Sequence, residues 1–234
     1  MEMDERIWDA VKQTEIIRPP KQSLSTFGTT NLYYYLLTEP AYIEPGKEVT
    51  ETVVREGRVI AERPRVVTPY YLMRLEGFGT DARKYFEMML NTYGPDSPGI
   101  YYAYKNEPIN MNIVTDNMDS VVDRLNSDIE KRGDALASII KGRDELWDVS
   151  ILKFIFEITR HSVQNNATQF GARGLLKVDK SGVPAEARMT IERLLSRVKA
   201  GEIEPSQLKE ELDRWNLFDE YEDRFLDLFR KSRR

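Results

Sequence analysis

The 234-residue chain contains no cysteine and only one histidine, His161. The first absence excludes a disulfide scaffold, a Cys-ligated zinc or iron–sulfur site, and thiol catalysis. The second excludes any site built on two imidazoles, such as H-E-x-x-H. Asp116, Asp119 and Asp123 do not have calcium-loop spacing, and they stand where helix capping already accounts for them. No metal and no cofactor are therefore expected. Long apolar runs are missing too. The longest, Leu32–Leu37, falls far short of the ~20 residues that a membrane helix requires, so no membrane span is expected. The stretch Met1–Asp9 is acidic and lacks the basic start and apolar core of a secretory signal. A cytoplasmic location follows as the default expectation. Fixed-period repeats and low-complexity tracts are also absent.

What is present suits a soluble domain. Hydrophobic residues make up 41% and charged residues 31% of the chain, enough for a core and a solvated surface. The formal charge of −5 argues against broad affinity for nucleic acid, because phosphates are neutralised by cationic surfaces. The stretch Lys153–Lys199 runs against that balance, with 9 basic and 4 acidic side chains.

The patterning changes along the chain. Ile7, Trp8 and Val11 predict a short helix over residues 4–14, ended by Pro19 and Pro20. From Gln22 to Thr115, Tyr, Val, Ile and Thr broken by Gly and Pro predict strands. Residues 32–38 form one. Two hairpins are expected, one joining 51–54 to 58–61 around Gly57, the other joining 100–105 to 109–114 around Pro108. Residues 66–75, interrupted by Pro69, read as an edge strand or two short pieces. Ile109, Met111 and Ile113 alternate with Asn110 and Asn112, giving one apolar and one polar face. Residues 80–90 read as a helix capped by Thr80.

Beyond Asp116 the period becomes helical. Met118, Val122, Leu125 and Ile129 predict a helix stopped by Gly133. A short helix is expected over 134–140, and a thoroughly buried one over 145–161. Residues 162–182 read as a polar loop, and the last fifty residues as three helices. The fold class is α+β, a strand-rich region 1–116 followed by a helical region 117–234, as two domains or one continuous one.

Candidate sites are few. His161 and Ser162 are adjacent, about 100° apart on a helix, which is poor geometry for a Ser–His pair. No G-x-S-x-G elbow exists. Gly77, Gly79 and Thr80 open a helix, a context that suits an anion, but neither phosphate-binding fingerprint is complete. Arg160, Arg173 and Lys177, with Thr80, could line an anion pocket. The paired tyrosines at 33–35, 70–71 and 101–104 could stack bases or a peptide. Trp215, Phe218, Phe225 and Phe229 lie on amphipathic helices that could meet a protein partner or a second copy.

The favoured expectation is a non-enzymatic binding or assembly protein acting through aromatic and amphipathic helical surfaces. An enzyme or sensor for a small anionic ligand is the alternative. A single-stranded nucleic-acid binder ranks third.

Overall fold

The structure is a computed structural model that describes residues 2–42, 50–68, 71, 87–88, 91–92, 94 and 97–230. Its strands lie mostly in the N-terminal half and its helices in the C-terminal half, so the class is α+β. Backbone proximity divides the chain into two compact units, each made of two chain segments. The first is Met1–Pro64 with Tyr102–Asn166, the second Arg65–Tyr101 with Ala167–Arg234. Along the chain these units divide at 64, 101 and 166.

The first unit is a five-stranded mixed sheet with helices on both faces. Helix α1 (Glu2–Gln13) leads into β1 (Glu15–Arg18), β2 (Thr30–Glu39) and β3 (Thr52–Ala61). After β4 (Arg65–Val67) and β5 (Gly99–Tyr101) come β6 (Tyr104–Val114), α2 (Met118–Arg132), β7 (Ala137–Arg143) and α3 (Trp147–Ala172). The spatial order is β1-β7-β2-β3-β6. Strands β2 and β7 run parallel, and every other neighbouring pair is antiparallel.

Side-chain alternation sorts each strand onto two faces. Leu32, Tyr34, Leu36, Val59 and Ile140 pack against Ile151, Phe154 and Ile158 of α3. Leu37, Val54 and Ile139 point the other way and meet Val121 and Ile129 of α2. Helix α2 starts where Asn117 Oδ1 accepts the Ser120 N–H at 2.9 Å, and it stops at Gly133 in the left-handed region (φ 65°).

Four sequence expectations fail here, each for a tertiary reason. Residues 134–140 are not a helix, because Ala137–Ile140 is buried between β1 and β2 as an inner strand. Periodicity alone cannot separate a short, fully buried strand from a helix turn. Gly57 turns no hairpin. It lies in the middle of β3, opposite Tyr34, because a ring is packed where its side chain would stand. The 100–114 hairpin also fails: β5 pairs with β4, while β6 continues past Pro108 along β3 with a bulge at Ile109. That proline is tolerated because β6 is an edge strand. Finally, α3 does not end at His161. Ser162, Asn166 and Phe170 prolong the buried i, i+4 stripe of Phe154 and Ile158. The polar pair is satisfied inside: Ser162 Oγ accepts the Leu24 N–H at 3.0 Å, and Asn166 Nδ2 donates to Leu24 O at 3.0 Å.

At the carboxyl ends of β2 and β7, Asp144 accepts from the Thr38 hydroxyl at 2.7 Å and pairs with Arg55 at 2.6 Å. Burial pushes its carboxyl up, but the Thr38 hydroxyl and the Arg55 guanidinium outweigh burial and hold it below the usual range. A depressed carboxylate stabilises the fold above its unfolded value of about 4, and the contribution disappears as pH falls through the folded value. Asp144→Asn should therefore cost about 1–2 kcal/mol at pH 7. It should also flatten the loss of stability below pH ~4, as read by urea unfolding across pH.

In the second unit, β4 and β5 form a two-stranded ribbon beside α4 (Ala185–Lys199), α5 (Pro205–Trp215) and α6 (Phe218–Arg230). These are the three helices expected after Pro184. Their core joins Val67, Tyr71, Ile191, Leu195, Leu208, Leu212, Trp215, Tyr221 and Phe225. Arg188 reaches Asp179 at 2.8 Å and Glu220 at 2.5 Å, and Arg224 grips Glu192 through two bonds of 2.6 Å, so α4 is tied to α6.

Candidate interaction surface

Strand β6 is anchored at one end and uncovered at the other. At its start the Tyr104 hydroxyl lies 2.5 Å from Thr159 Oγ1, and just before it Tyr102 donates to Asn166 Oδ1 at 2.7 Å. Both bonds hold the strand to α3. The two rings stack 6.4 Å apart, and burial pushes the Tyr102 phenol up to about 12.

Toward its other end, β6 keeps its alternation, and no layer among the described residues covers it. Met111 stands opposite Arg55 and Ile113 opposite Val53, on the face that carries Tyr34 and Leu36. Over the inner strands and the start of β6, α3 covers that face, but it leaves residues 109–113 exposed. Ile109, Met111 and Ile113 are 64%, 58% and 53% exposed. Isolated exposed apolar residues are ordinary, but a same-face row on an edge strand is not.

A shallow groove of about 460 Å³ lies beside this row, lined by Arg55, Pro108, Ile109, Met111 and Trp147 among others. Its charged wall is fixed: the Arg55 guanidinium sits 5.8 Å from the Trp147 ring centroid while holding Asp144. Helix α3 adds a second apolar row. Leu152 and Phe156 are each 64% exposed, and Val163 follows them. At ~100° per residue these three cluster about 20–60° around the helix from Thr159, on its β6 side. Sequence reasoning finds the alternation of 109–113, one apolar and one polar face, but alternation does not tell whether the apolar face is covered. Pro108 within the strand was the available sign of an edge. Nothing in the pattern of α3 singled out Leu152 or Phe156.

The residues singled out from sequence do not gather. Arg160 is exposed, pairs with Glu157 at 3.1 Å, and lines a groove of about 930 Å³ with Lys153, His161, Pro19 and Pro20. In that groove Lys153 Nζ is committed to Val11 O and Thr14 O at 2.8 Å each, tying α1 to α3. Arg173 and Lys177 belong to the second unit, so neither unit holds them together with Arg160. Thr80 lies outside the described residues. His161 is exposed, whereas Ser162 is buried and donates to Ile158 O at 2.7 Å, so the two make no catalytic pair.

Of the proposed partner residues, Trp215 and Phe225 are core. Phe218 packs against that core with the Lys209 ammonium 4.9 Å from its ring centroid, and only Phe229 remains half exposed. Tyr34 is buried, and Tyr35 packs against the core beneath α2 while its hydroxyl accepts from Arg132 at 2.9 Å, so both rings are engaged within the fold. Among the described residues, no group of three or more His, Asp or Glu side chains is placed to hold a metal ion. No helix among them is long and apolar enough to cross a membrane.

No protein-family model matches the chain, and neither a curated protein nor a solved structure is significantly similar to it.

Proposed function

We propose that this chain is a non-enzymatic binding or assembly protein whose contact surface is the uncovered face of β6, flanked by the exposed row on α3. One observation carries the reading: Ile109, Met111 and Ile113 stand more than half exposed on one face of an edge strand. An exposed edge with same-face apolar residues fits a protein partner better than a small polar molecule. The C-terminal aromatic helices fit this role poorly, since their largest rings are spent on their own core.

The test uses the full chain, immobilised, against a lysate of its source cells. The triple substitution Ile109→Asp, Met111→Asp, Ile113→Asp should leave the melting temperature nearly unchanged, because surface changes stay within ~0.5 kcal/mol each. Binding should be lost. Equal capture of the same proteins by wild type and variant would overturn the reading.

A further inference from the structure

The edge carries a sequence symmetry that suits a second copy of the chain. Ile109, Asn110, Met111, Asn112 and Ile113 read the same in both directions. We infer that a second copy of this chain pairs antiparallel along β6, about a two-fold axis through Met111. This rests on the reading of β6 as the contact surface. In that register the two Met111 side chains meet on the axis, Asn110 faces the partner's Asn112, and Ile113 faces the partner's Ile109, the position at which β6 bulges. Apolar residues meet apolar residues on one face and amides meet amides on the other, the self-complementarity that an isologous interface demands. Two five-stranded sheets thereby become one continuous sheet.

The backbone agrees. The Met111 N–H donates to the side chain of its neighbour Asn110 at 2.9 Å, a local bond that a partner carbonyl can replace. Charge and bulges are the usual ways to protect an edge; this one carries a bulge at Ile109 but no charged residue between Ile109 and Val114. Pro108 has no N–H to offer, so it closes the ladder at one end. Lys105 and Glu107, which pair with each other at 2.7 Å, lie beyond it.

Sedimentation of the full chain over a concentration series should show reversible growth from 27.3 kDa to twice that mass. Met111→Pro removes an edge amide hydrogen and should weaken association at least about tenfold in Kd. Met111→Asp serves the same purpose should the proline variant not fold. Because the chain has no cysteine, Met111→Cys gives an unambiguous readout. Hydrogen-bonded antiparallel partners lie ~5.5 Å apart at Cα, within disulfide reach. Mild oxidation should therefore link two copies of this variant and leave Lys105→Cys unlinked. A monomer at every concentration, or a dimer in which Met111→Cys does not cross-link, overturns the two-fold pairing. If such a monomer still captures another protein and loses it with the triple aspartate variant, only the pairing has failed. Capture that survives the triple variant removes the wider reading as well.

Discussion

Gly57→Ala is expected to cost about 3–4 kcal/mol, combining overpacking of the core with a lost hydrogen bond. A Cβ at this position would stand 2.2 Å from the Tyr34 hydroxyl oxygen and 2.3 Å from the ring carbon that bears it. Tyr34 cannot simply swing aside. It is buried against α3, and its hydroxyl donates to Asn106 Oδ1 at 3.1 Å. Glycine inside a strand normally weakens it by ~0.5–1 kcal/mol, so alanine would stabilise an open position. Here the ring decides the sign. The same substitution in a Tyr34→Ala background should cost little, a strong departure from additivity that urea denaturation of the four proteins would measure. Equal costs in both backgrounds would show that the ring is not what excludes a side chain.

Glu211→Ala should destabilise the second unit by about 3–5 kcal/mol, because it leaves a partly buried guanidinium without its carboxylate. Glu211 is buried on α5 and accepts from Arg65 at 3.0 Å, from the Tyr71 hydroxyl at 3.2 Å and from the Trp215 indole at 3.2 Å. Three donors from three segments depend on one group. Glu211→Gln should cost less, since its amide oxygen still accepts while the charge is lost. A second buried carboxylate, Glu186, takes the Val66 N–H at 3.1 Å and the Thr190 hydroxyl at 2.9 Å, and it cannot replace the first. Thermal or urea unfolding of the two variants gives the ranking. A Glu211→Ala protein as stable as wild type would contradict the account.

Helices were the most legible part of this chain. The 3.6-residue spacing of Met118, Val122, Leu125 and Ile129, and of Ile191, Leu194, Leu195 and Val198, needs no tertiary information because each helix buries one stripe. Strand β7 was hidden for the opposite reason. Ala137–Ile140 is covered on both faces, so it carries no alternation to read. The end of α3 was hidden because Ser162 and Asn166 look like loop residues until their partners, Leu24 and Thr26, arrive from more than 130 positions away. Gly57 and Pro108 resemble turn residues, yet one yields to a ring and the other marks an edge.

The contact surface shows the same limit. Alternation tells which residues share a face, so Ile109, Met111 and Ile113 were grouped correctly from sequence. Whether a face is covered depends on where the neighbouring helix ends, and that belongs to packing. For the same reason Trp215 and Phe225 looked available until the core of the second unit enclosed them.

Hydrogen exchange of the full chain, alone and in its complex, tests the central claim most directly. The account predicts that complex formation slows exchange at the amides of 109–114 and leaves the α6 amides near Phe229 unchanged. Protection confined to α6, with 109–114 exchanging as freely as in the isolated chain, would contradict it.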